Sequence, residues 1–249
     1  MRAVKSILGA GLLGLFACGV PVWADDAKPT PPPAVKETAK PEPAKADVLE
    51  VIVDVSETPE HQKWADEAAE LVKVWHPKLS DYLKSDGYTP PKKITLQFKK
   101  DMKGVAHTIG DRIVIAGDWI TKHPEDKGMV VHELTHAIQG YRRAPRNAGW
   151  LVEGIADYTR FYLFEQSVLK PEELRRARYA NPDRSKYTDS YRTTASFLNY
   201  LVENVDPQIV VKLNAQLRDG KYSEKSFEEL AKKPLSEAEV DWKETLKKK

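Results

Sequence analysis

The sequence predicts an α+β fold. A small mixed sheet with one long helix comes first, a helix bearing paired histidines sits in the middle, and the C-terminal part is mainly helical. Three observations carry this. Short β-branched runs, as at Val51-Ile52-Val53 and Ile94-Thr95-Leu96, lie in the first half. From about residue 126 onward, apolar residues recur at helical spacing in segment after segment. Between the two regions His132 and His136 stand four residues apart in an otherwise apolar stretch.

In chain order, residues 49–55 read as a strand. Thr58, with Pro59 at the first helical position, reads as a helix start. Trp64, Ala68, Leu71, Val72, Trp75 and Leu79 then recur at helical spacing, and Pro77 is expected to kink or divide that helix. The aromatic stripe reads as core packing, with His61 and His76 at the surface. Residues 93–98 form a second strand. Residues 105–108 and 112–116 form a hairpin around Gly110-Asp111. His107 on that hairpin could face a cleft, but the simpler reading is a strand histidine with no catalytic role. His123, beside Pro124, is a loop residue.

The central helix spans about residues 126–141, with Met129, Val130, Leu134, Ala137, Ile138 and Tyr141 apolar. A turn-rich break at 144–149 separates it from a helix over about 151–166. Residues 175–189 read as a loop. Residues 191–201 are helical, and 207–217 form a helix ended by Gly220. Residues 226–232 and 236–246 form short helices, the latter with Ser236 and Glu239 as a capping box.

The chemistry concentrates in Val131-His132-Glu133-Leu134-Thr135-His136-Ala137-Ile138-Gln139. Residues four apart share a helix face, with Cβ atoms about 6 Å apart. His132 and His136 can therefore turn two imidazole nitrogens toward one ion. Glu133 stands beside them, placed to take a proton from an attacking water. This H-E-x-x-H pattern is that of a zinc metallopeptidase. The bland alternative is an amphipathic helix with two satisfied histidines.

The next helix weighs against that alternative. Glu153 lies 17 positions after His136, beyond a break that lets a second helix fold back over the first. Glu153 and Asp157 are again four apart, in an apolar run where an unpaired charge is costly to bury. Glu153 is expected to be the third ligand. Asp157 is expected to accept the second N–H of a ligand histidine and fix its tautomer. Two histidines and one glutamate leave a fourth position open, as in a catalytic rather than a structural Zn2+ site. Tyr191 is the candidate donor to a developing oxyanion, with Tyr187 and Arg192 as alternatives and simple packing as the competing role.

Residues 1–24 read as a signal peptide, with Arg2 and Lys5 before an apolar core too short for a membrane anchor, and Val22-Trp23-Ala24 as the cleavage site. Cys18 is the single cysteine, so cleavage after Ala24 leaves a chain incapable of disulfides or cysteine metal sites. Leu15-Phe16-Ala17-Cys18 loosely resembles a lipobox, which makes a lipid anchor at Cys18 the less favoured alternative. Residues 25–47 form a Pro/Ala/Lys-rich linker with nothing to bury, expected to be an extended spacer, and 48–249 form the folded domain. The chain has 39 Lys+Arg and 37 Asp+Glu. Without Arg2 and Lys5 the balance is 37 − 37 = 0, which gives no argument for nucleic-acid or membrane binding.

With these residues identified, the chain resembles the basic secretory protein family, the peptidases of plants and bacteria. The matching pieces are Val105-Ala106-His107-Thr108-Ile109-Gly110, the His132 to Gln139 motif, Ala144-Pro145, and Leu151-Val152-Glu153-Gly154-Ile155-Ala156-Asp157-Tyr158. Residues 191–200 and Leu213-Asn214 match as well, so the resemblance covers nearly all of 48–246. It implies a zincin-like, gluzincin-type metallopeptidase fold, a secreted or periplasmic protein and a peptide or protein substrate. It also implies zinc on His132, His136 and Glu153, with Glu133 as base. Three features depart from the pattern: the near-neutral charge, Ser190 where a glycine is expected, and the 175–189 loop. They bear on substrate preference rather than on the metal site. A monomer is expected. The competing readings are an exported protein that binds zinc or a peptide without turnover, and an amidase acting on cell-wall peptides.

Overall fold

The computed structural model describes residues 48–142, 144–178 and 180–248. The signal-peptide and linker expectations, and Cys18, lie outside these residues. The first half builds a four-stranded sheet from β1 (Glu50–Asp54), β2 (Lys93–Lys99), β3 (Ala106–Ile109) and β4 (Arg112–Ala116), in the order β1-β2-β4-β3. β1 and β4 flank β2 in parallel, with Val51 opposite Ile94 and Leu96 opposite Ile113. β3 runs antiparallel to β4, with Thr108 opposite Ile113, and forms an edge of the sheet. Period-two alternation buries Ile94, Leu96 and Phe98 of β2 on one face. β4 buries Ile113, Val114, Ile115 and Ala116 consecutively, as a strand covered on both sides does.

Helix α1 (Gln62–Tyr82) packs on the core through Trp64, Ala65, Ala68, Ala69, Val72 and Leu79. Pro77 lies inside α1, which runs on without division. Proline removes only one helical hydrogen bond, and fully buried Leu79 and Leu83 hold the last turn in place. Thr58 makes no side-chain cap. Pro59–His61 form a 3-10 turn before α1, and the Thr58 hydroxyl is buried without a partner among the described residues. Neither histidine of this region is a surface residue. His76 is buried with Nε2 2.8 Å from the Pro91 carbonyl, and burial lowers its pKa. His61 has a side chain only 12% exposed, set 3.4 Å from the Thr121 hydroxyl.

α2 (Gly117–Lys122) leads into α3 (Gly128–Gln139), the histidine helix. Its ends are set chemically. Asp126 Oδ1 accepts the Met129 amide at 3.2 Å, and Gly140 terminates the helix with φ +54°. A side chain at Gly140 would also collide with Tyr88, its Cβ falling 2.4 Å from the phenol oxygen.

α4 (Gly149–Tyr158) carries Glu153 and Asp157 and continues through a π-helical turn, Thr159–Phe164, and a 3-10 turn, Glu165–Ser167. α5 (Pro171–Ala177) occupies the start of the expected 175–189 loop and the residues before it. Pro171 opens it, and Glu173 accepts the Lys170 amide at 2.9 Å. α6 (Tyr191–Asn204) starts at Ser190, whose hydroxyl accepts the Thr193 amide at 3.2 Å. α7 (Ile209–Asp219) ends at Gly220. α8 (Glu224–Ala231) is capped by Ser223, and α9 (Leu235–Lys247) closes the chain.

Ser236 does not cap α9. It lies inside the helix, while Glu228 of α8 accepts the Leu235 amide at 3.0 Å and Glu239 pairs with Lys243. Phe197, Phe227 and Trp242 form the aromatic centre of this helical half. The fold is therefore mixed α+β, with a small sheet and a mostly helical remainder. Among the described residues, no helix is long and apolar enough to cross a membrane.

Candidate metal centre

α3 is apolar on the faces that meet α1 and the sheet, and its remaining strip carries His132 and His136 one turn apart. α4 crosses it and contributes Glu153. The donor atoms converge: His132 Nε2 and His136 Nε2 are 3.1 Å apart, and Glu153 Oε2 is 3.2 Å from the first and 3.4 Å from the second. A tetrahedral ion with ligand bonds of roughly 2.0–2.1 Å spaces its ligands about 3.3–3.4 Å apart. The three residues together can hold a metal ion, and the donor set of two imidazoles and a carboxylate fits zinc.

Each histidine is held from behind. His132 Nδ1 lies 2.7 Å from Asp157 Oδ1. A carboxylate only accepts, so Nδ1 carries the proton and Nε2 keeps its lone pair for a metal. His136 Nδ1 lies 2.8 Å from Gln139 Oε1, whose amide nitrogen donates to the Val152 carbonyl at 3.1 Å. Gln139 therefore orients His136 and ties α3 to α4 at once. Thr135 and Thr159, buried and 2.6 Å apart, make a second tie between α3 and the π-helical turn.

Close approach of α4 and α6 depends on Gly154. A Cβ there would lie 2.0 Å from Thr194 Cγ2. At the start of α3, Arg160 donates to Asp126 Oδ1 and Glu165 Oε1, both at 2.8 Å. Burial raises the Glu165 pKa, and the Arg160 charge opposes the rise. At the end of α3, Arg218 donates to the carbonyls of Gln139 and Ile138 at 3.1 Å.

Electrostatics are set by this convergence. Burial opposes charge on His132, but hydrogen bonds to Asp157 and Glu153 outweigh it and raise its pKa to about 9. Burial likewise opposes charge on Glu153, yet hydrogen bonds from His132 and His136 pull its pKa down to about 2. Without a metal, these contacts favour a proton on His132, facing the Asp157 and Glu153 carboxylates.

These residues lie in an open groove of about 1940 Å³. Pockets for single small molecules run roughly 300–1,000 Å³, so this one has room for an extended chain. Its wall includes Val105, Ala106, His107 and Thr108 of the edge-strand region, together with Tyr191 and Arg192. Glu133 is 6% exposed and receives a hydrogen bond from Thr108. Tyr191 is 52% exposed, its ring centroid 6.5 Å from that of His132, and the Glu153 charge, then burial, raises its pKa. Arg192 lines the groove with its guanidinium over Phe161. Tyr187 is turned away: its ring packs on Trp150 and Phe197 in the helical core. His107 is exposed on the edge strand and borders the groove.

The structure thus brings His132, His136, Glu153, Asp157 and Glu133 into one place. Sequence reasoning assigns no role to Gln139, Thr108 or Arg160. Gln139 offers one signal, a polar side chain three residues after His136 in an apolar stretch.

An open groove runs over three converging donors, between a sheet edge and a helical half, and forms a candidate metal centre with room for an extended chain. The chain belongs to the BSP family, the peptidases of plants and bacteria, whose model matches residues 46–242. No curated protein and no solved structure matches it.

Proposed function

We propose that this protein is an exported, zincin-like endopeptidase that depends on zinc held by His132, His136 and Glu153. The observation that carries the reading is the convergence of those three donors at 3.1–3.4 Å, with Glu133 on the adjoining turn. Family membership supplies the peptide substrate class. Export rests on the signal-like residues 1–24.

When bound, zinc would polarise the scissile carbonyl and make an attacking water more acidic. The chain's own residues do the rest. The substrate adds as an extended strand along the free edge of β3, where backbone hydrogen bonds hold any sequence and side pockets select residues. Glu133 takes the proton of the attacking water and delivers it to the leaving amine. Tyr191 remains a phenol well above neutral pH and donates toward the developing oxyanion. Asp157 and Gln139 keep both ligand imidazoles in the tautomer that leaves Nε2 free.

The test compares the wild-type protein with Glu133→Gln, both assayed for zinc and exposed to a mixed peptide library read by mass spectrometry. Zinc-dependent new termini from the wild type alone are expected. Zinc bound in both proteins with no cleavage by either would favour a non-catalytic zinc- or peptide-binding protein instead.

A further inference from the structure

We propose that Thr108 is a positioning residue for Glu133, and that it ties the base to the strand on which the substrate docks. The inference rests on the peptidase reading above.

Strand alternation on β3 leaves His107 and Ile109 exposed and turns Ala106 and Thr108 inward, half-buried, over α3. The Thr108 hydroxyl then meets two acceptors of one residue. It lies 2.7 Å from Glu133 Oε2 and 2.9 Å from the Glu133 main-chain carbonyl. Among the described residues, no other side chain hydrogen-bonds the Glu133 carboxylate, so Oε1 is left for the reacting water.

This contact does more than fill space. Glu133 sits on a rigid helix, but its side chain has three rotatable bonds that would otherwise sweep the carboxylate across the groove. A hydrogen bond to a carboxylate is among the stronger kind, and here it selects one rotamer. Misplacing a catalytic group by about 1 Å can cost on the order of a hundredfold in rate.

A hydroxyl also has one hydrogen and two lone pairs. It can donate to Oε2 of the carboxylate. When Oε1 takes the proton from the water, the hydroxyl keeps donating to Oε2, which still has a lone pair to accept it. Both states of the base are served with no movement of heavy atoms. Because Thr108 belongs to the edge strand, the same residue sets the distance from the docked substrate backbone to the base. Its own edge N–H and C=O do not depend on the side chain, so substrate binding and base placement can be separated by mutation.

The experiment uses the full-length zinc-loaded protein, with Thr108→Val, Thr108→Ser and Glu133→Gln beside the wild type. Turnover is referred to bound zinc. Thr108→Val is expected to lower kcat on the order of ten- to a hundredfold, part of the 10²–10⁴ that a general base contributes. KM should stay within about twofold, because the edge backbone is unchanged. Thr108→Ser, which keeps the hydroxyl and loses the methyl, should recover most of the loss. A Thr108→Ser variant as slow as Thr108→Val would mean the residue acts by packing, and would overturn the proposal. So would a Thr108→Val variant with wild-type kcat.

A second readout does not depend on activity. In protein labelled with ¹³C at glutamate side-chain carboxyls, the Glu133 signal is identified by its loss in Glu133→Gln. It should move in Thr108→Val and return in Thr108→Ser. If the wild type cleaves nothing, the peptidase reading falls and this signal alone decides the contact. An unmoved signal in Thr108→Val overturns it.

Discussion

Asp157 Oδ1 lies 2.7 Å from His132 Nδ1, a contact made between two helices that fold back on each other across the 144–148 turn. It fixes the tautomer of one candidate metal ligand and helps hold α4 on α3. Removing it should therefore weaken metal binding without unfolding the chain. Loss of such a supporting carboxylate typically costs 10–100-fold in metal affinity, and that is the expectation for Asp157→Ala. Competition for zinc against a chelator of known affinity, with circular dichroism on the same samples, checks it. Unchanged affinity would mean that His132 needs no orienting partner. Gln139→Leu should act in the same direction through His136.

The proton held at the centre predicts opposite pH behaviour with and without metal. In the metal-free chain His132 has its pKa raised from 6.5 to about 9, by hydrogen bonds to Asp157 and Glu153 that outweigh its burial. The folded state thus binds this proton more tightly than the unfolded chain. Its contribution is complete below pH 6.5 and is lost as pH rises through about 9. Glu153, pulled down to about 2 against its burial, contributes above pH 4.5 and loses that contribution as pH falls through about 2.

Chelator-treated protein should accordingly lose stability between pH 6.5 and 9, on the order of 3 kcal/mol for the His132 shift. Metal must displace that proton, so zinc affinity should rise over the same window. Denaturant unfolding with and without zinc measures both. A metal-free stability that is flat across the window would remove the proton from the centre.

Gly154 predicts a packing defect next to a candidate metal ligand. A methyl at this position would sit 2.0 Å from Thr194 Cγ2, and Thr194 is 1% exposed with no room to retreat. Overpacking a core contact costs about 1–3 kcal/mol and moves backbone. The moving backbone here carries Glu153 in the preceding position. Gly154→Ala should lose both stability and zinc affinity. Adding Thr194→Ser, which removes the offending methyl, should recover part of both. Gly154→Ala with unaltered zinc affinity would show that the α4–α6 approach does not set the ligand.

The pattern of what is legible in the sequence tracks the range of the forces involved. His132 with His136, and Glu153 with Asp157, are pairs at one-turn spacing, so local helix geometry already fixes their shared faces. Their meeting requires only that two adjacent helices fold back, which the 144–149 break permits. The sheet is legible for the same local reason.

Thr108 is not, because its role depends on β3 lying at the edge beside α3, a consequence of the order β1-β2-β4-β3. Gln139 takes its meaning from the Val152 carbonyl on another helix. Ser236 has the sequence pattern of a cap, but a carboxylate from a neighbouring helix takes the Leu235 amide instead. His76 reads as exposed because the Pro91 carbonyl that receives it lies across a loop. α5 does carry a local signal in Pro171-Glu172-Glu173, and it extends into a stretch whose Arg and Asn content reads as loop.

At the start of α3, Arg160 joins Asp126 and Glu165. Arg160 and Glu165 are five positions apart, a spacing at which a π-helical turn brings side chains together and an α-helix does not. The three side chains are 18%, 13% and 7% exposed, so each charge relies on the others. Gly128 is packed into the same cluster, and a Cβ there would lie 2.3 Å from Glu165 Oε1. Arg160→Met keeps the length of the side chain and leaves two carboxylates without their cation. Breaking a buried pair from one side costs about 3–5 kcal/mol, and these partly exposed groups should fall at the lower end. With Arg160 gone, burial and the Asp126 charge push the Glu165 pKa up against only the smaller pull of Arg192. The variant should therefore recover stability as pH falls and Glu165 takes a proton. Adding Glu165→Gln to Arg160→Met should return part of the stability at neutral pH by removing one orphaned charge. Denaturant unfolding of the two variants from pH 5 to 8 measures this. Loss in Arg160→Met that neither low pH nor Glu165→Gln relieves would mean that the arginine acts by its packing on Phe161 rather than by its charge.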